Sequence, residues 1–167
     1  MTSSWIGYVR NRELLDRFYT SVPPLESVAV RSVNLSRVGP TVTLRFDLPG
    51  FANKPDEEWV EHHCDRFQCQ VKFLAVDQLS MRSWSPPAVA SVALRPRPLR
   101  RIHVHVTGEG IDLDFTSSDS LLVAWVSAYA YDRDATPGSE TYYYASPLGR
   151  RRYGSILPEV TERNFYV

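Results

Sequence analysis

The residues best suited to chemistry are two histidines and two aspartates, His103, His105, Asp112 and Asp114. Imidazole and carboxylate groups are ordinary ligands of divalent metals, so four of them on one face could hold an ion. Alternating strands also place polar residues outward by default, and a histidine opposite an aspartate is a favourable cross-strand pair. We therefore favour surface His–Asp pairs and keep a metal site as the alternative.

The pattern around these residues predicts a β-hairpin that would bring them together. Apolar and polar residues alternate from Ile102 to Thr107 and again from Ile111 to Phe115, with Gly108-Glu109-Gly110 between the two runs. If both apolar sets share one face of the hairpin, His105 lies opposite Asp114. The four polar side chains would then share the outer face.

No other group of residues indicates catalysis or a cofactor. His62-His63-Cys64-Asp65 has ligand-type side chains, but four adjacent residues point in diverging directions and cannot surround a metal. The sequence contains no G-x-S-x-G elbow, no phosphate-binding loop and no glycine-rich dinucleotide turn. These residues therefore indicate no catalytic motif and no cofactor, and site chemistry alone does not indicate the function.

Charge is balanced over the whole chain but not locally. Nineteen basic residues match nineteen acidic ones, so the sequence predicts neither a nucleic-acid partner nor an anionic membrane. From Lys54 to Arg66, in contrast, five acidic residues stand against two basic ones. The first part of this stretch, Lys54 to Trp59, is predicted to be a loop. Two arginine groups, at positions 95–101 and 150–152, are interpreted as solvated charge or as contacts to this acidic segment.

Size and composition predict a soluble protein with one core. The 167 residues are 43% hydrophobic and 23% charged, which is ordinary for a globular domain. Cys64 and Cys69 are the only cysteines, and we expect buried free thiols in a reducing cytoplasm. The N-terminal residues do not resemble a signal peptide, and no apolar run is long enough to span a bilayer. The expected location is therefore the cytoplasm.

The stretch from Val28 to Leu48 gives the clearest structural prediction. From Thr41 to Leu48 every even position is apolar and every odd position is polar or charged, which is typical of a strand with one wet face. The preceding run changes its apolar parity at Arg31-Ser32, which predicts a β-bulge. Gly39-Pro40 separates the two runs and predicts the turn of an antiparallel hairpin.

Further strands and one helix complete the predicted fold. Spacing predicts a short amphipathic helix from Arg10 to Tyr19 and a long strand from Cys69 to Met81 with a bend at Asp77. Ala88 to Leu94 is a weaker strand, and Ser120 to Asp132 favours a central strand over a helix. The fold class is therefore α+β and mostly β, with a twisted antiparallel sheet of about six or seven strands and an N-terminal amphipathic helix.

One boundary is predicted near Asp132. Residues 1–132 are expected to form a single β-rich domain, and residues 133–167 a C-terminal extension packed on it. The extension contains Thr136-Pro137-Gly138-Ser139 and the run Tyr142-Tyr143-Tyr144. We expect its aromatic rings to hold it against the domain.

A set of residues in a fixed order now points to a known family. A helix is followed by a Pro-Pro turn, a hairpin and a Leu-Arg-Phe-Asp-Leu-Pro stretch. The residues are Trp5, Asn11, Leu14, Phe18, Pro23-Pro24-Leu25, Val30, Val33, Leu35, Arg37, Gly39-Pro40, Leu44 to Pro49 and Trp59. This order resembles the immunity protein 50 family of bacterial polymorphic toxin systems. The similarity extends from about Trp5 to Asp132, and the tail from Arg133 departs from the family.

The resemblance implies a non-enzymatic protein that binds a cognate protein toxin and blocks it, with no catalytic residues to carry over. Many such toxins are nucleases with basic active sites, and an acidic patch could mimic their phosphate substrate. We therefore expect Glu57, Glu58 and Glu61 to contribute to the toxin-facing surface. Homodimerisation through an exposed strand edge stays open.

Two other classes of function stay open as well. A curved sheet with aromatic residues on both faces could enclose a small apolar ligand, as β-barrel-like binding modules do. That function predicts a large cavity lined by Trp84, Trp125 and Tyr129. A hydrolase or metal enzyme would instead require the histidine and aspartate side chains to converge on one point.

Overall fold

The structure is a computed structural model that describes residues 4–136 and 139–157. In these residues the strands are β1 (Val28–Ser36), β2 (Thr41–Asp47), β3 (Arg66–Phe73), β4 (Asp77–Arg97), β5 (Arg101–Ser118), β6 (Leu121–Tyr129) and β7 (Tyr143–Tyr144). They form one antiparallel sheet in the order β5-β4-β1-β2-β3-β6-β7. Short helices surround it: α1 (Glu13–Asp16), α2 (Glu57–Glu61), α3 (Pro147–Tyr153) and a 3-10 helix (Trp5–Tyr8). The predicted mostly β fold is confirmed.

The hairpin of β1 and β2 forms where the alternating pattern predicts it. Its register shifts between Val30 and Ser32, which confirms the bulge expected at the change of parity. Gly39 has a φ of +62°, a conformation that glycine adopts without steric cost. The bulge and the turn of this hairpin therefore lie at the residues that the local sequence indicates.

The prediction of one long strand from Cys69 to Met81 is wrong. β3 ends at Phe73 and β4 begins at Asp77. Ala75, between the two strands, has a φ of +52°, and Gln78, the second residue of β4, has a φ of +53°. These left-handed residues break the extended backbone that the apolar spacing suggested. The weaker strand expected at Ala88 to Leu94 lies within β4, and the favoured strand assignment for β6 is confirmed.

Strands β4 and β5 are both folded back on themselves. The backbone N–H of Asp119 donates to the carbonyl of Arg100 over 2.9 Å, so the two ends of β5 lie side by side. Each half of β5 pairs with a different half of β4 (Asp77–Trp84 with residues 111–116, and Val89–Arg97 with residues 101–109). A Cβ on Gly108 would lie 2.1 Å from the Val89 carbonyl oxygen, so only glycine fits at this bend.

The predicted N-terminal helix is shorter than its spacing suggested. α1 spans only Glu13–Asp16, and the 3-10 helix precedes it. Side chains from this region nevertheless tie it to the sheet. Asn11 donates to the carbonyl of Val123 over 2.7 Å and accepts from the N–H of the same residue over 2.9 Å. The Trp5 indole donates to the carbonyl of Pro23 over 2.9 Å.

The main core lies on one face of the sheet, under the N-terminal segment and α2. Phe18, Trp59 and Phe67 are almost fully buried, and the Phe18 and Trp59 rings stack with centroids 4.5 Å apart. Cys64 and Cys69 are buried free thiols, as expected. Burial raises the pKa of the Cys64 thiol to about 11. Among the described residues, no helix has the length and apolar character needed to cross a membrane.

Candidate functional site

The acidic segment is partly helical, so the loop predicted for Lys54 to Trp59 is wrong over its second half. α2 begins at Glu57, after Asp56, and ends at Glu61. Five residues are too few for a stable isolated helix, and the helix depends on packing. Trp59 supplies that packing, since its ring is fully buried and its Nε1 donates to the carbonyl of Tyr143 over 3.1 Å.

The structure places the three glutamates of interest on this helix but gives them different surroundings. Glu57 and Glu61 are exposed and, within the described part of the chain, form no ion pair. Glu58 is half-buried, and its Oε2 lies 3.5 Å from Nη2 of Arg150. Arg150 therefore contacts the acidic segment, which is one of the two roles expected for the arginines at positions 150–152.

Neighbouring acids are neutralised within the chain. Asp56 accepts from Arg17 over 2.7 Å, and Asp65 lies 3.2 Å from Arg66. The acidic excess that the sequence shows is therefore reduced in the folded protein. What remains free of partners among the described residues is the pair Glu57 and Glu61, four residues apart on α2.

The two histidines and two aspartates are brought together by the fold of β5, but not in the predicted register. His103 Nε2 lies 2.8 Å from Asp114 Oδ2, and His105 Nε2 lies 3.1 Å from Asp112 Oδ1. The expected contact of His105 with Asp114 is therefore wrong, because the partner of His105 is Asp112, two residues earlier. The interpretation as surface His–Asp pairs is confirmed.

Asp112 also accepts from a second side chain. The Arg82 guanidinium donates to it over 3.1 Å, and this bond, followed by the one from His105, lowers the pKa of Asp112. Among the described residues, no three histidine, cysteine or acidic side chains are placed to hold a metal. The imidazole and carboxylate groups pair off two by two and do not converge on one point.

A buried polar network on the other face of the sheet was not predicted. Asp47 is 2% exposed and accepts hydrogen bonds from three strands. Arg31 donates to it from β1 over 2.8 Å, Gln68 from β3 over 2.9 Å, and the Tyr129 hydroxyl from β6 over 2.5 Å. Arg45 in turn donates to Gln68 over 3.2 Å. A chain of charged and neutral donors thus crosses four strands.

Burial and charge shift the titration of this network. Burial, and then the nearby Asp47 carboxylate, raise the pKa of Tyr129, because both disfavour a phenolate. For Arg31, burial acts to lower the pKa, but Asp47 and the hydroxyl of Tyr129 outweigh it and the net pKa is raised. Both shifts keep Arg31 charged and Tyr129 neutral as a donor.

The expectation of a wet outer face on β2 is therefore wrong at its C-terminal end. Arg45 and Asp47 occupy polar positions of the alternation, yet both are buried. The cause is the C-terminal extension, whose residues Tyr142, Tyr144 and Tyr153 are themselves buried. The tyrosine run in the sequence was the one signal that this face would be covered.

The structure offers little space for a small ligand here. Trp125 and Tyr144 line a small pocket with Arg45, Gln68 and Gln70, and its volume of about 10 Å³ leaves room for no more than about one water molecule. Trp84 and Tyr129, which were expected to share a cavity with Trp125, do not line this pocket. Trp84 lies on β4 and is 36% exposed.

Fold and surfaces together define the class: a mostly β protein with a single antiparallel sheet, a covered polar face and an exposed acidic helix. A family model described as Immunity protein 50 matches residues 11–118. The chain therefore belongs to the Immunity protein 50 family, as its resemblance indicated. No curated protein and no solved structure matches it.

Proposed function

We propose that this protein is an immunity protein that binds a cognate bacterial toxin in the cytoplasm and neutralises it without catalysis. Family membership supports a toxin as the partner. The single observation that carries the choice of surface is α2, which presents Glu57 and Glu61 without intramolecular ion pairs among the described residues. The buried ring of Trp59 holds this helix in a fixed position.

A fixed acidic helix suits a partner with a basic active site. Complementary charges steer association and exclude wrong partners, and they bind best when both sides are preorganised. Glu57 and Glu61 are one helical turn apart, so one basic groove can contact both. Glu58 adds a third carboxylate on the side of α2 that faces Arg150. The toxin would be blocked by occupation of its active site.

The test is a binding and rescue assay with the polypeptide encoded next to this gene. We expect the triple variant E57K/E58K/E61K to bind it at least about tenfold more weakly and to lose protection in cells. The matched control is E13K/E26K/E109K, which makes the same change in net charge at exposed glutamates elsewhere. Circular dichroism verifies that both variants are folded.

The outcomes separate two parts of the proposal. Equal weakening by both triple variants would show that only net charge matters and would remove the role of α2. Unchanged binding by E57K/E58K/E61K would place the toxin-facing surface elsewhere on the molecule. Absence of any binding and any rescue by the unmodified chain would overturn the immunity function with this partner.

A further inference from the structure

The residues from Tyr142 to Leu157, here called the cover, lie over the polar face of β2, β3 and β6. Four of them are buried and cluster with Tyr129 and Trp125 (Tyr142, Tyr144, Tyr153 and Leu157). The Tyr142 ring lies 5.0 Å from that of Tyr129, and the Tyr153 ring 5.1 Å from that of Trp125. Beneath them are five buried polar residues: Arg45, Asp47, Gln68, Gln70 and Ser127.

The central carboxylate of this face does not depend on the cover for its hydrogen bonds. The donors to Asp47 are Arg31, Gln68 and Tyr129, and all three belong to strands of the sheet. Separation of the cover would therefore leave this carboxylate hydrogen-bonded to its three donors. For Asp47 the opening would avoid the free-energy cost of leaving a buried charge without a partner. The cover contributes aromatic packing and a two-residue strand pairing with β6.

The cover is fastened to the acidic helix and the residue that follows it. The Tyr143 carbonyl accepts from Trp59, and the Tyr143 ring stacks on His62 with centroids 4.4 Å apart. Arg150 lies 3.5 Å from Glu58, whose Oε2 is buried and makes no hydrogen bond with the described residues. A cation and an aromatic ring from the cover thus already occupy one side of the surface that we assign to the toxin.

We propose that the cover is a displaceable competitor of the toxin, which binds Glu58 and the β6 edge only when the cover has moved away. This inference rests on the proposed function. The cover also shows the chemistry that the surface accepts: an extended segment that pairs with β6, with an aromatic ring against His62 and a basic group against Glu58. A toxin segment of that kind binds the same groups, so cover docking and toxin binding oppose each other reciprocally.

The test uses three single variants of the full chain. R150Q removes the cation at Glu58 together with the hydrogen bond that Arg150 Nε donates to the Tyr144 carbonyl within the cover. Y143S removes the ring on His62 without a change of charge and leaves that hydrogen bond in place. R151Q is the matched control, because Arg151 is exposed on the same helix and carries the same charge. Hydrogen exchange of residues 142–157 measures opening of the cover without toxin, and calorimetry measures affinity for the neighbouring polypeptide.

We expect R150Q and Y143S to speed exchange in the cover and to tighten toxin binding by roughly two- to fivefold, and R151Q to do neither. Unchanged exchange in both variants would show that these contacts do not fasten the cover and would overturn the proposal. Faster exchange with unchanged affinity would overturn the competition. If the unmodified chain binds no toxin, the proposed function fails first; if it binds and R150Q and Y143S bind no more tightly, the competition alone fails.

Discussion

At the scale of single residues, Asp47 organises the polar face of the sheet. Its carboxylate accepts from Arg31, Gln68 and Tyr129, which lie on three different strands. A buried carboxylate is costly unless it is paired and fully hydrogen-bonded, and here both conditions hold. Because each donor comes from a separate strand, the network fixes their relative positions as well as compensating the charge.

Replacement of Asp47 by asparagine tests this interpretation. D47N keeps the side-chain size but leaves the Arg31 guanidinium without its carboxylate, so we expect a loss of about 2–4 kcal/mol in the free energy of unfolding. Y129F removes one hydrogen bond and should cost about 1–2 kcal/mol. Urea unfolding measures both, with the exposed D134N as control. A D47N protein as stable as the original would show that the network adds nothing to stability.

At the scale of elements, the sequence pattern correctly predicted the features that adjacent residues determine. The bulge at Arg31-Ser32 and the turn at Gly39-Pro40 follow from adjacent residues, and both are present. α2 was missed because its five residues are held by the buried ring of Trp59, a tertiary contact that spacing does not show. The burial of Arg45 and Asp47 was missed because the residues that cover them, such as Tyr142, lie far along the chain. The candidate acidic residues could be selected because excess charge is visible in the sequence, and their toxin-facing role stays a prediction.

The turn between β4 and β5 provides a test at the same scale. Leu99 and Arg100 have φ values of +61° and +56°, a region that costs an ordinary residue roughly 1 kcal/mol and that asparagine tolerates better. Leu99 is 92% exposed, so its side chain contributes no core packing. We expect L99N to stabilise the protein by about 0.5–1 kcal/mol and L99A, which keeps the strain, to change little. Thermal unfolding distinguishes them, and equal melting temperatures for both variants would contradict the prediction.

At the scale of the whole molecule, the two faces of the sheet are closed by different parts of the chain. The N-terminal segment and α2 cover the apolar face, whereas the C-terminal residues cover the polar one. The family match ends at Ser118, the last residue of β5, so it includes α2 but neither β6 nor the cover. The acidic helix of the proposed toxin surface therefore lies in the part that the family shares, whereas the β6 edge and the proposed competitor lie beyond it.

Buried tyrosines on both faces make the stability of the whole fold sensitive to high pH. Burial raises the pKa of Tyr19, Tyr129 and Tyr142 above the ordinary value of 10.0. In the unfolded chain these phenols lose their protons near pH 10, while the folded protein retains them, so stability is full below pH 10 and falls as the pH rises above it. Absorbance at 295 nm should therefore show at least three of the nine tyrosines ionising only together with the loss of the circular dichroism signal. Y142F should remove one tyrosine from that late group, and ionisation of all nine tyrosines in a still folded protein would contradict the expected burial.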